Sequence, residues 1–148
     1  MEFRKTLFNK LSTLSVSVPV SQQQIQDVLS KQVEEVEDIQ VRITPEQIEI
    51  SGYVSIKKFG LSRRQQVSLF LSPQRVESRI LYFDVLKVKP LDFESSNAAY
   101  LTKQPLTLYE DRILQVDLSK IDTLKKVKFG SLRHLQLGHE MLTVGLGV

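Results

Sequence analysis

The sequence predicts a strand-rich α+β domain in which one main helix lies across a face of an antiparallel sheet. Two patterns lead there. Apolar residues recur at spacings of three and four through residues 22–37, behind a helix-starting signal, and the spacing changes to two over most of residues 38–148. The 148 residues fit a single domain, 1–148, and a fold of that length buries roughly 70% of the surface its unfolded chain exposes. It divides into residues 1–13, a basic amphipathic N-terminal helix; residues 21–37, the main helix; and residues 38–148, mostly antiparallel strands.

In the first segment Phe3, Leu7, Phe8 and Leu11 share a helical face, with Arg4, Lys5 and Lys10 on the remaining surface. Such a helix either docks on the sheet or lies on a membrane, where those three cations would face an anionic surface. Leu14, Val16, Val18 and Val20 then alternate with polar residues as a strand, and Pro19 places it at an edge. Ser21 and Gln24 form a capping-box pair, and Ile25, Val28, Leu29, Val33 and Val36 make the apolar stripe of the main helix.

Ile39, Val41 and Ile43 predict one strand; Pro45-Glu46 turns the chain; Ile48, Ile50, Val54 and Ile56 predict its hairpin partner. Gly52 falls on the apolar parity of that partner, where glycine marks a bulge or the close approach of another backbone. Gly60 ends it, and Arg63 to Ser72 supplies the next strand with Val67, Leu69 and Leu71 on one side. From Val76 to Val88 both parities are apolar: Ile80, Tyr82, Leu86 and Val88 on one, Leu81, Phe83 and Val85 on the other. That strand is either covered on both faces or has one face lining something other than water. A short helix is expected within 95–103, in the stretch best placed to act as a gate; then come a hairpin around Glu110-Asp111-Arg112, a turn or single helical turn over 119–126, and two final strands around Gly138-His139.

Charge and motif content exclude more than they assign. Twenty Lys and Arg against 17 Asp and Glu give +3, which is compatible with solubility alone, although basic pairs recur at Lys57-Lys58, Arg63-Arg64 and Lys125-Lys126. Such pairs suit solvated strand edges or an anionic partner. There is no cysteine, no run of ~18 apolar residues able to span a bilayer and no secretory signal, so the chain reads as soluble or peripheral to a membrane, its compartment open. The six glycines never take a nucleotide-binding spacing. His139-Glu140 lacks the second histidine of a zincin, and His134 and His139 point from opposite strand parities, a poor metal pair. No serine stands out beside a base. Asp84, Asp117 and Asp122 could still meet in three dimensions, where spacing does not reveal a carboxylate pair; with no other catalytic pattern in the chain the reading is no enzyme, no metal and no cofactor. Tyr53, Phe59, Phe70, Tyr82, Phe83, Tyr100 and Tyr109 could stack bases, but no nucleic-acid motif accompanies them, and Glu34, Glu35, Glu37 and Asp38 would repel a phosphate backbone.

The run Lys31-Gln32-Val33-Glu34-Glu35-Val36-Glu37-Asp38-Ile39-Gln40-Val41-Arg42-Ile43 resembles the opening of the LmeA-like phospholipid-binding family, usually placed among the tubular lipid-binding proteins. Ile48-Glu49-Ile50-Ser51-Gly52, the segment from Leu86 to Phe93 and the late Tyr109–Leu114 hairpin extend the likeness loosely over 21–148. The resemblance implies a long amphipathic helix cradled by a strongly twisted, curved antiparallel sheet with lipid chains held between them. Ile25, Val28, Leu29, Val33 and Val36 would supply the helix side of that ligand site. Val54, Ile56, Val67, Leu69, Leu71, Leu81, Phe83 and Val85 would supply the sheet side. A site of this kind needs only apolar area, at about 0.8 kcal/mol per buried methylene, and no special motif. The expected function is therefore binding of a lipid or other hydrophobic small molecule, either in solution or at a membrane surface, the alternative being a non-catalytic protein-interaction or scaffold domain.

Overall fold

A computed structural model describes residues 15–104, 106–120 and 132–147. The predicted helix over 1–13, with Arg4, Lys5 and Lys10, lies outside the described residues. Nine strands are present among those described: β1 (Ser15–Ser21), β2 (Glu37–Ile43), β3 (Ile48–Lys58), β4 (Leu61–Glu77), β5 (Ile80–Lys89), β6 (Thr107–Glu110), β7 (Ile113–Asp117), β8 (Leu132–Leu137) and β9 (Met141–Gly147). Two helices join them, α1 (Gln22–Gln32) and α2 (Glu94–Leu101), with a single 3-10 turn at Leu118–Lys120. The strands form a six-stranded sheet in the order β2-β3-β4-β5-β7-β6 and a three-stranded sheet in the order β1-β9-β8, with antiparallel pairing throughout.

The expectation of a long helix packed on one curved sheet is overturned: the chain is mostly β-sheet, with two short helices and two sheets. The capping box forms as predicted, the Ser21 hydroxyl accepting the Gln24 N–H at 3.1 Å and the Gln24 side chain accepting the Ser21 N–H at 2.8 Å. The helix then stops at Val33, whose backbone is extended, instead of continuing to residue 37. Two features of the sequence stop it. Glu34, Glu35, Glu37 and Asp38 would crowd negative charge at the negative end of the helix dipole, and Val33 and Val36 are β-branched residues that favour extended backbone. No residue of α1 is fully buried. The small sheet shares with the helix the covering of the core: Leu142 and Val144 of β9 join Ile39, Val41 and Ile43 of β2, Ile48 of β3, Leu71 of β4 and Leu81, Phe83 and Val85 of β5, while Ile25 and Leu29 of α1 pack half-buried against them.

Rather than crossing the sheet, α1 lies along its edge. The Gln26 side-chain oxygen accepts the Val41 N–H at 3.0 Å and the Gln22 oxygen accepts the Ile43 N–H at 3.1 Å, so two backbone donors of edge strand β2 are satisfied by helix side chains. Four residues on a helix advance ~6 Å and two on a strand ~6.8 Å, which is why that spacing fits. Where α1 hands over to β2 the chain passes over Gly52: a Cβ there would sit 2.4 Å from Val36 Cγ1 and 3.1 Å from the Glu37 carbonyl oxygen. The glycine expected to admit a neighbouring backbone does so.

The two-sided apolar strand also has a structural explanation. In β5, Leu81, Phe83 and Val85 face the core; then Val85 pairs with Leu71 while Lys87 pairs with Phe70, leaving Leu86 as an extra residue in a β-bulge. The bulge reverses parity, so Val88 also packs against the core and Leu86 is turned outward. The stretch expected to gate is instead tied down. Asn97, 2% exposed, donates from Nδ2 to Asp92 Oδ1 at 2.8 Å and to the Tyr109 hydroxyl at 3.3 Å. The hydroxyl donates to Glu94 Oε2 at 2.7 Å. Arg112 pairs with Asp92 and donates to the Leu86 carbonyl at 3.0 Å.

Candidate functional site

Of the thirteen residues expected to line a ligand site, nine belong to or pack against the core, and four are half-buried outside it. Leu71, Leu81, Phe83 and Val85 are core residues with at most 7% of their surface exposed, so they contact protein. Ile25 and Leu29 of α1, Val33 and Val36 beyond its end, and Leu69 pack half-buried against the same core. Val28 is half-buried on α1, and Val54, Ile56 and Val67 are half-buried farther along the β3–β4 hairpin. An open groove of about 300 Å³ lies instead where β5, β6 and β7 meet, lined by Ile80, Gln104, Leu106, Thr107, Leu108, Gln115 and Asp117, none of which was expected to line a site.

The β3–β4 hairpin is the feature that fold construction leaves unexplained. Its strands pair without interruption from Ile48↔Leu71 to Lys58↔Leu61. Strand β2 reaches only as far as the rung at Tyr53, and β5 only as far as Ser68. The five rungs from Val54↔Gln65 to Lys58↔Leu61 therefore have neither β2 nor β5 beside them, forming an arm about 16 Å long at ~3.3 Å per residue. At its root the Arg64 guanidinium lies 4.0 Å from the Tyr53 ring centroid, pairs with Asp38 and approaches Glu37 Oε2 at 3.5 Å. These contacts fix the arm to the body where β2 begins.

At the end of the arm stand Phe59, 99% exposed, and Leu61, 74% exposed. The turn has positive φ at both central residues, 53° at Phe59 and 76° at Gly60, as a tight hairpin requires. Glycine adopts that backbone freely and asparagine tolerates it, whereas for phenylalanine it costs of order 1 to 3 kcal/mol. Asp38, Ser78, Asp111, Arg112 and Glu140 also have positive φ: Ser78 is a small exposed residue in the β4–β5 turn, and the others are tied into the fold, Asp38 by Arg64, Asp111 by its N–H to Glu94 at 2.9 Å, Arg112 by Asp92, and Glu140 by its N–H to the Ile43 carbonyl at 2.9 Å. Phe59 is strained and exposed without contributing its ring to the core. In the sequence it shows as an aromatic residue preceded by two lysines and followed by a turn glycine, and its isolation emerges only from the lengths of the neighbouring strands.

Among the described residues no group of three or more His, Asp or Glu is placed to hold a metal ion, and no helix is long and apolar enough to cross a membrane. His134 lies over Gly145 of the neighbouring strand, while His139 is in the β8–β9 turn. The titrations that depart from ordinary values belong to the tie beneath α2. Hydrogen bonds from Arg112 and then Asn97 hold the Asp92 carboxyl below its usual range, and the bond to Asp92 raises Arg112. No protein-family model, curated protein or solved structure matches this chain.

Proposed function

We propose that this chain is a non-catalytic, peripheral lipid-binding module that meets a membrane surface with the tip of its β3–β4 arm. The observation that carries the reading is the near-complete exposure of Phe59 on a strained turn, with Leu61 beside it. A monomer stabilised only by its own packing gains nothing from that arrangement, and strain of this kind concentrates where a segment contacts something else. Transferring the two side chains out of water is favourable by about 1.5 to 3 kcal/mol each. The likeness to the LmeA-like family points to the same chemistry, although the helix-and-sheet cradle it implies for acyl chains is not what this chain forms. A protein-interaction domain using the same tip is the second reading, favoured by the fact that two apolar side chains also suit a partner's pocket.

Sedimentation with phospholipid vesicles tests the proposal. The wild-type chain should co-sediment, and Phe59→Ser with Leu61→Ser should abolish co-sedimentation while circular dichroism stays unchanged. Absence of binding by folded wild-type protein to vesicles of every composition tried would overturn the membrane reading and leave the interaction domain.

A further inference from the structure

Resting on that membrane reading, we infer that the arm selects anionic headgroups, and that Lys57 and Arg63 make the selection while Arg64 does not.

The arm is uniformly charged. Residues 54–67 carry Lys57, Lys58, Arg63 and Arg64 and no Asp or Glu. Lys57 and Arg63 stand within the outer rungs, Lys57 paired with Ser62 and Arg63 with Ile56. A tip that immerses Phe59 and Leu61 in the apolar boundary brings those rungs to headgroup level. Two apolar side chains alone give marginal, reversible attachment; firm attachment needs a second signal, and a cluster of cations is the commonest one. Each cation that reaches an anionic surface strengthens partition about fivefold.

Arg64 stands one rung farther back and is already committed, paired with Asp38, near Glu37 and lying over Tyr53. The acidic residues Glu34, Glu35, Glu37 and Asp38 precede or begin β2, at the root of the arm, about 16 Å from the tip. That distance is about two Debye lengths at physiological salt, so their repulsion of an anionic surface is largely screened while the outer cations act at contact. The arm thus separates charge that attracts the surface from charge that would oppose it. Nucleic acid would be attracted by the same cations, but it would use Phe59 as a stacking platform and need no bilayer.

Flotation with two vesicle compositions, phosphatidylcholine alone and phosphatidylcholine with phosphatidylserine, tests the inference. Wild type should bind the phosphatidylserine vesicles at least tenfold more tightly, with the preference lost in high salt. Lys57→Gln with Arg63→Gln should lower that preference about 25-fold or erase it while leaving binding to neutral vesicles unchanged. Arg64→Gln should keep the preference within about twofold. Equal binding of wild type to both vesicles would overturn headgroup selection and leave the membrane reading standing; binding to neither would remove both. An equal loss of preference in Arg64→Gln would show that the latched guanidinium contributes and overturn the division of labour. Displacement from vesicles by a single-stranded RNA oligonucleotide that itself binds more tightly would assign the arm to nucleic acid and overturn the proposal.

Discussion

The side-chain oxygen of Gln26 accepts the backbone N–H of Val41 at 3.0 Å, and one helical turn earlier Gln22 does the same for Ile43 at 3.1 Å. An edge strand presents unpaired donors to any other strand that approaches. Here two are occupied by amides delivered from a helix, so α1 serves as a substitute strand for β2. Gln26→Ala should destabilise the chain by about 1 to 2 kcal/mol, because it leaves a partly buried donor without a partner. Gln26→Glu, which keeps an acceptor, should lose less. Urea unfolding measures the difference, and faster hydrogen exchange at the Val41 amide locates it.

Gly52 and Val36 test the crossing from α1 to β2. A methyl group on Gly52 would overlap Val36 Cγ1 at 2.4 Å and crowd the Glu37 carbonyl oxygen at 3.1 Å. Gly52→Ala should cost about 1 to 3 kcal/mol, the usual range for overpacking. Combining it with Val36→Ala should recover part of that loss, a coupling that a double-mutant cycle reads directly.

Asp92 gives the chain a defined acid response. Its carboxyl titrates below the ordinary 3.8, chiefly because Arg112 and then Asn97 donate to it. A depressed folded-state value contributes stability above the unfolded value and loses it as pH falls through the lower, folded one. Asp92→Asn should therefore be less stable than wild type at neutral pH, with the gap closing below about pH 4. Urea midpoints measured from neutral pH down to about pH 2 give the two curves; parallel curves would contradict the assignment.

Phe59 should trade stability against attachment. Replacing it with Asn, which tolerates a φ of 53°, relieves strain and should raise stability by up to about 1 kcal/mol while weakening vesicle binding. Thermal unfolding and flotation on the same preparation read both effects. A less stable Phe59→Asn would show that the ring supports the hairpin after all.

Local rules made several elements legible: the Ser21–Gln24 cap, the β2–β3 hairpin from its alternating isoleucines and valines, and the glycine under Val36. What the sequence hid is non-local. Periodicity continued the helical stripe through Val33 and Val36 because it counts apolar residues and ignores where acidic charge accumulates. Parity placed Leu86 and Val88 together because a bulge reverses parity without leaving a distinctive residue behind. Gln22 and Gln26 lie off the apolar stripe, and nothing local says that an edge strand lies beside them. The arm was invisible for the same reason: β3 and β4 could be placed individually, but their projection depends on where β2 and β5 end.

The latch at Arg64 has a mechanical consequence. Two-stranded ribbons twist and bend more readily than wider sheets. With the guanidinium stacked on Tyr53 and paired to Asp38, the root of the ribbon is held to the body, and any bending of the arm is left to the rungs beyond it. On the proposed membrane reading, such bending would let the tip follow a curved surface without re-orienting the groove at β5–β7–β6.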